Sequence, residues 1–483
     1  MQTISEIRDG LRAKKFSAKE VTQHYLSRIE KFDKQINSFV SVNPRALDEA
    51  AQVDATIASG KDLGPLAGVP VAVKDLLCTE GLKTTACSKI LANYIPPYDA
   101  SVVTRLRRAG AVVLGKTSLD EFAMGSSNEN SFFGPVKNPW NHDYVPGGSS
   151  GGSAAALAAK LAPVAIGTDT GGSIRQPASF CGVFGIKPTY GRVSRYGIIS
   201  FASSLDQAGP MARSTKDCAL VLEAIAGKCK FDSTSSNQSV PAWADSIKQD
   251  LKGVRIGLPK EYFSEPIDAD VTKVTQDAIA ALKARGATTV EVSLPLVKYA
   301  VSIYYLIATS EASSNLARYD GVRFGYRSEN SPASLDDFYA SNRGEAFGAE
   351  VKRRIMLGTH ALSSGYYDAY YNKAGQVRRL LRDEFIKAFE TCDVILSPVA
   401  TTPAFKIGER ISNPLEMYLN DIFTTSTNLA GLPGMSVPVG FSSKGLPIGV
   451  QLMAKHFDEQ SIFDVSYALE QEFRAGEKVP HGI

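Results

Sequence analysis

Lys74, Ser149 and Ser173 are the residues whose surroundings could do chemistry. Lys74 closes the apolar run Val69-Pro70-Val71-Ala72-Val73, and the two serines lie in the clusters GGSSGG and DTGGS. A serine hydroxyl is a poor nucleophile until a base takes its proton. Lysine can be that base only when neutral, yet its reference pKa is ~10.4. Bringing it near 7 takes roughly 4 kcal/mol at ~1.36 kcal/mol per pH unit, which burial can supply by penalising the charged form. A lysine at a strand end is ordinarily solvated; beside two serine clusters, a dry amine is the better reading. Ser173 follows Thr170-Gly171-Gly172 and is expected to open a helix running toward Ala178. Backbone N–H groups at a helix start can hold an oxyanion, and the glycines let that backbone approach a substrate. The alternative for Ser173 is a plain N-cap. Asp169 and Arg175 flank the loop and are read as a pair that holds it.

These residues need a scaffold. Short β-rich runs at 69–73, 111–114, 163–166, 254–257 and 394–396 alternate with helical stretches at 101–109, 271–284 and 367–389. Such alternation argues for a three-layer α/β fold, with helices on both faces of a large, buried central sheet. Residues 1–60 read as helices: Ser17 and Glu20 form a capping box, and Asn43-Pro44 opens a further helix that Gly60 can end. From 147 to 191 glycine, serine and alanine dominate, the composition of a flexible linker. Here an alanine-rich helix at 153–161 and an apolar strand at 163–166 separate the clusters, so the glycines belong to a binding loop. Residues 231–245 and 321–343 read as long loops. No internal repeat is present, and one domain spanning 1–483 is expected.

Composition narrows the class. The 53 basic and 50 acidic residues leave a net charge of +3, short of the excess of a dedicated nucleic-acid surface, although a local patch stays open. No stretch approaches the ~18 consecutive apolar residues that span a bilayer, and the N-terminus lacks a signal-like pattern. The six cysteines form no CxxC pair and the five histidines no HExxH, so no zinc site is expected, and buried free thiols in a reducing cytoplasm are. Gly110 to Thr117 matches GxxxxGK[ST], but its middle residues, Ala111-Val112-Val113-Leu114, read as a strand rather than a phosphate loop. Residues 147–151 match GxSxG, but a polar stretch with two prolines precedes them, and no downstream histidine sits in a motif.

The run VPGGSSGGSAAALAAKLAPVAIGTDTGGSIRQPASFCGVFGIKPTYGR from Val145 resembles the signature of the amidase signature family. GVPVAVKD at 68–75, LAGLPG at 429–434 and GLPIGVQL at 445–452 fit the same family. The resemblance implies its three-layer fold, with a signature core at about 65–215 and the helical region at 1–60. It also implies a serine–serine–lysine triad: Ser173 as nucleophile, Ser149 on a cis peptide as bridge, Lys74 as base. The N–H groups of Thr170, Gly171 and Gly172 would then stabilise the oxyanion.

Other runs (FAMGSSNENS at 122–131, PVKNPWN at 135–141, VKRRIMLGT at 351–359 and YLNDIFTTSTNLAGLPG at 418–434) are similar to the A subunits of tRNA-dependent amidotransferases. That resemblance implies glutamine as substrate and no cofactor on this chain. It implies B and C subunits in a heterotrimer, one of which binds most of the tRNA and uses ATP and Mg to convert Glu-tRNA(Gln), or Asp-tRNA(Asn), to the amide. Free glutamine presents a carboxylate and an ammonium, for which Arg354 and Asp421 are carried over. A contact from Tyr304 or Tyr305 is expected, the choice between them open. The competing readings are a stand-alone amidase for small amides, a serine–histidine–acid hydrolase and a non-catalytic scaffold protein of the same assembly.

Overall fold

The computed structural model describes residues 3–61, 64–264, 266–411 and 413–482. In chain order its strands are β1 (Phe39–Val42), β2 (Pro70–Lys74), β3 (Val112–Thr117), β4 (Val164–Asp169), β5 (Phe184–Lys187) and β6 (Gln207–Ala212). Then follow β7 (Arg255–Pro259), β8 (Thr288–Val292), β9 (Val394–Pro398), β10 (Gly434–Phe441) and β11 (Pro447–Ala454). All join one mixed sheet in the order β1-β3-β2-β4-β6-β5-β10-β11-β9-β7-β8. Helices cover both faces, giving the three-layer α/β fold.

Burial follows from position in the sheet. The inner strands β2, β3, β4, β5 and β6 are buried at every residue, as strands covered on both faces must be. At the two edges, β1 and β8 keep partly exposed residues. The pairing that matters most is parallel: β2 lies beside β4 with Val73 opposite Ile166. Lys74 and Thr168 therefore emerge together at the carboxyl ends of neighbouring strands, where open α/β sheets place their ligands. The helix Gly151–Ala158, every residue of it buried, lies against both strands. Only small side chains allow that approach: a Cβ on Gly152 would lie 2.5 Å from the Ser118 carbonyl oxygen.

Some expectations need correction. Among the described residues the region 1–60 holds three helices, Ile4–Arg12, Ala18–Ile36 and Ala46–Ala58, and the Ser17–Glu20 capping box is formed. It also contains strand β1, paired antiparallel to β3 with Phe39 opposite Thr117. Asn37, in the left-handed conformation (φ 63°), ends the preceding helix, and the Phe-Val-Ser-Val run suits a pleated edge. Residues 321–343 are not all loop, since a helix runs from Leu335 to Ala346 with Ser334 capping the N–H of Asp337. That helix buries only Asn342 and Ala346, so its sequence shows no apolar stripe of helical period. The 231–245 stretch ends in a short helix, Trp243–Ser246. The phosphate-loop lookalike is indeed strand β3. Its Lys116 is buried and donates to the Leu77 carbonyl at 2.7 Å and to Thr84 at 2.8 Å, with Asp75 3.4 Å away. All six cysteines are free and buried. Among the described residues no helix is long and apolar enough to cross a membrane.

Candidate active site

Lys74 is completely buried. Its Nζ lies 2.9 Å from Ser149 Oγ, 2.8 Å from Ser150 Oγ and 2.9 Å from Thr168 Oγ1. Burial drives its pKa from 10.5 down to about 7, although Asp120 and Asp169 pull the other way. The hydrogen bonds then assign the atoms. Ser150 donates its own proton to the Thr168 carbonyl at 3.0 Å, so its oxygen must accept from Lys74. A neutral amine has two N–H groups. With these spent on Ser150 and Thr168, the nitrogen lone pair faces the Ser149 hydroxyl. An amine so disposed is able to accept the Ser149 proton.

The peptide bond between Gly148 and Ser149 is cis. Its surroundings are closely tied: the Gly148 N–H donates to Gln176 Oε1 at 2.9 Å, and Gln176 Nε2 donates to the Ser126 carbonyl at 2.9 Å. The Asp120 N–H reaches the Ser149 carbonyl at 3.3 Å. Ser173 lies against this segment, its carbonyl accepting the Ser150 N–H at 3.1 Å, and is 8% exposed. The helix beyond it runs from Arg175 to Cys181, so Ser173 sits in the preceding turn rather than at the helix start; the Gln176 N–H to Gly172 carbonyl bond, 2.8 Å, closes that turn.

One carboxylate organises the loop. Asp169 accepts from the N–H groups of Gly172 (2.8 Å) and Ile174 (3.1 Å), from Arg175 at 3.0 Å through both Nε and Nη2, and from Asn428 at 2.8 Å. Burial alone would raise its pKa, but Arg175 and these hydrogen bonds more than offset that and hold it far below the usual carboxylate range. Of the three expected oxyanion donors, Gly172 thus has its N–H engaged within the protein. Thr170 is held through its hydroxyl on Asp206 at 2.8 Å. The N–H groups of Gly171 and Ser173 have no partner among the described residues.

Arg354 and Asp421 are both buried nearby. Arg354 donates through Nε to Glu350 at 2.8 Å, and Tyr418 donates to the same carboxylate oxygen at 2.9 Å. The guanidinium lies over the rings of Tyr305 (5.1 Å) and Tyr418 (5.4 Å), which stack on each other at 3.9 Å. Among the described residues its two terminal nitrogens have no hydrogen-bond partner, so the fork that would grip a carboxylate is open. Among the described residues Asp421 accepts from Ser126 at 2.7 Å through one oxygen only, and burial pushes its pKa up to about 7. Tyr304 closes the gap to the loop that carries Ser173: a Cβ on Gly171 would lie 2.6 Å from its Cζ. From the other side Thr424, one turn after Asp421, donates to the Gly171 carbonyl at 2.6 Å.

Sequence reasoning missed several of these residues. Ser150 and Thr168 could have been found, one beside Ser149 and the other at the end of the strand leading to Asp169. Glu350 stands four residues before Arg354, the spacing of a helical ion pair. Ser126, Gln176 and Tyr418 gave no signal outside the matching runs.

The family model for amidases matches residues 20–463, and the chain belongs to that family. Closer similarities are more specific. The chain is 61% identical to the A subunit of the glutamyl-tRNA(Gln) amidotransferase of Bdellovibrio bacteriovorus, covering 100% of this chain and 99% of that one. It is 56% identical to the protein of the same name from a Geobacter strain, over 97% of both chains. Among solved structures, the glutamyl-tRNA(Gln) amidotransferase A subunit of Thermotoga maritima superposes with a TM-score of 0.79 at 42% identity, covering 94% of this chain and 91% of that one. The peptide amidase of Stenotrophomonas maltophilia superposes with 0.83 at 33% identity, over 99% and 98%.

Proposed function

We propose that this chain is the glutamine-hydrolysing component of a tRNA-dependent amidotransferase. The observation that carries the reading is the buried amine of Lys74, 2.9 Å from Ser149 and with a pKa of about 7, beside the segment that holds Ser173. Lys74 takes the proton of Ser149 while Ser149 takes that of Ser173, and Ser173 Oγ attacks the carboxamide carbon. The N–H groups of Thr170, Gly171 and Ser173 receive the oxyanion; that of Gly172 serves by fixing the loop on Asp169. As the tetrahedral adduct collapses, the proton returns through Ser149 to the leaving nitrogen and ammonia departs. Water then attacks the Ser173 ester by the same relay and releases glutamate.

The open fork of Arg354 receives the glutamine carboxylate and Asp421 the ammonium. Both groups favour a free amino acid over a peptide amide, which has no paired charges to offer them. Tyr304 is the tyrosine nearer the reacting loop, and Tyr305 backs Arg354. The whole chain serves as one amidase domain in the cytoplasm. B and C subunits complete a heterotrimer, in which a partner binds most of the tRNA and uses ATP and Mg to amidate Glu-tRNA(Gln), or Asp-tRNA(Asn), with the ammonia released here. The test is glutamine hydrolysis by the tagged chain, alone and with the partners it captures from its host. The reading requires release of glutamate and ammonia that Ser173→Ala abolishes. Release by Ser173→Ala at the native rate, or equal turnover of simple amides lacking both charges, would overturn it.

A further inference from the structure

A cavity of about 520 Å³, formed by the helix Lys373–Ala388, the turn at 429–431 and His456, belongs to none of the groups above. Its volume is that of a small-molecule site. Its charge is one-sided. Arg378, Arg379, Arg382 and His456 line it, and among the described residues no aspartate or glutamate does. Arg378 donates to neutral acceptors: the Leu429 carbonyl at 2.8 Å, Ser204 Oγ at 2.8 Å and the Ser204 carbonyl at 3.0 Å. Glu311, whose charge Arg378 feels, lines the adjoining cavity instead. Arg379 and Arg382 are exposed and, among the described residues, take part in no hydrogen bond or ion pair. His456 Nε2 lies 2.9 Å from the Ala430 carbonyl, which can only accept, so Nε2 carries the hydrogen and Nδ1 is left to a visitor.

The helix itself carries a second observation. Residues 375, 378, 379 and 382 follow the i, i+3, i+4, i+7 spacing of a single face. Gly375 opens that face, although glycine inside a helix costs about 1 kcal/mol relative to alanine. A Cβ there would meet nothing within 4 Å, so packing in the protein does not call for the glycine. The glycine leaves room in front of three guanidinium groups that, among the described residues, meet no carboxylate within the cavity. Guanidinium forks match phosphate oxygens bidentately.

We propose that this cavity binds phosphate groups, with Arg379, Arg382 and His456 as the groups that meet the phosphate oxygens. Phosphate can arrive on a small compound or along an RNA strand, and two probes separate these. Inorganic pyrophosphate and a short single-stranded RNA are titrated separately into the full chain while the His456 imidazole resonance is followed by NMR, identified by its loss in His456→Asn. Phosphate beside Nδ1 stabilises the charged ring, so saturable binding should raise the apparent pKa of His456. The double variant Arg379→Ala/Arg382→Ala should weaken binding at least tenfold while leaving the melting temperature and glutamine hydrolysis unchanged. Gly375→Leu, which fills the cavity without touching a charge, should weaken it too. RNA that binds at least tenfold more tightly than pyrophosphate, with a salt slope falling by about 2 in the double variant, identifies a nucleic-acid backbone. RNA that binds no more tightly identifies a small phosphate compound. The absence of a saturable His456 shift with either probe, or equal affinity in the double variant, overturns the proposal. Glutamine hydrolysis measured on the same samples shows separately whether the reading of the active site holds.

Discussion

Replacing Lys74 by arginine separates a base from a mere cation. Both side chains carry a positive charge on a long stem, but a guanidinium keeps its proton under all working conditions. Burial lowers the Lys74 pKa from 10.5 to about 7, a difference of roughly 5 kcal/mol at ~1.36 kcal/mol per pH unit. At pH 7.5 about three quarters of such an amine is neutral, against on the order of one in a thousand at the ordinary value. The pocket is therefore worth about 10³ in the fraction of active base, and Lys74→Arg should lose at least that factor in kcat at every pH from 6 to 9. The wild-type rate should climb with pH through about 7 and then level. The assay is steady-state release of ammonia from saturating glutamine across that range. A flat profile, or Lys74→Arg within tenfold of wild type, would refute the reasoning. Stability gives an independent check with its own sign. Between pH 7 and 10.5 the unfolded chain holds a proton that native Lys74 does not, so this residue makes the fold more stable as pH rises through that window. Lys74→Met has no such proton to lose. Its advantage over wild type in urea unfolding should grow as pH falls from 10 to 7, by up to about 1.4 kcal/mol per unit, and stay constant below.

Other substitutions test the remaining assignments. Arg354→Ala should raise the glutamine KM about 100-fold while the fold stays intact, since a charge-assisted bidentate contact is lost; unchanged kinetics would remove Arg354 from the site. Glu350→Gln should raise KM about tenfold and leave kcat nearly intact, because Arg354 keeps an acceptor but loses its countercharge. Gly171→Ala drives a methyl group into Tyr304 and should lower kcat about 100-fold, as displacements of ~1 Å near reacting groups do; a crystal structure should show the ring moved. Ser150→Ala removes an acceptor that stabilises the Lys74 ammonium as well as orienting the amine, so kcat should fall about tenfold and the acid limb move to lower pH. A limb that moved to higher pH would contradict the assigned hydrogen bonds. Below pH 7 Asp421 becomes protonated, and KM should rise with acidity in wild type but not in Asp421→Asn.

The parts of the molecule that could be read from sequence are those governed by local chemistry. An apolar run ending in Lys74 announces a buried strand, and the clusters around Ser149 and Ser173 announce turns where backbone must come close. Asp169 and Arg175, six residues apart, announce their own pairing, and they form it at 3.0 Å. What stayed hidden depends on partners distant in the chain. Ser126 meets Asp421 across 295 positions, and Glu121 meets the Gly348 N–H across 227. No periodicity encodes such contacts. Strand β1 escaped because four residues beside a long helix are too few to show alternation, and helix 335–346 because it buries little.

The loop at 169–173 and the Arg354 half of the proposed clamp hang from different supports, whereas Asp421 shares the segment that carries Thr424 and Asn428. Asp169 ties the loop to strands and to the segment around Asn428, whereas Tyr305 and Arg354 stand on the helices Ala300–Asn315 and Ala349–Ala361, which pack on each other. Tyr304 reaches the loop from the first of those helices. On the proposed mechanism, such a divided suspension would let residues of that helical pair be exchanged to admit a different amide while Lys74, Ser149 and Ser173 keep their alignment.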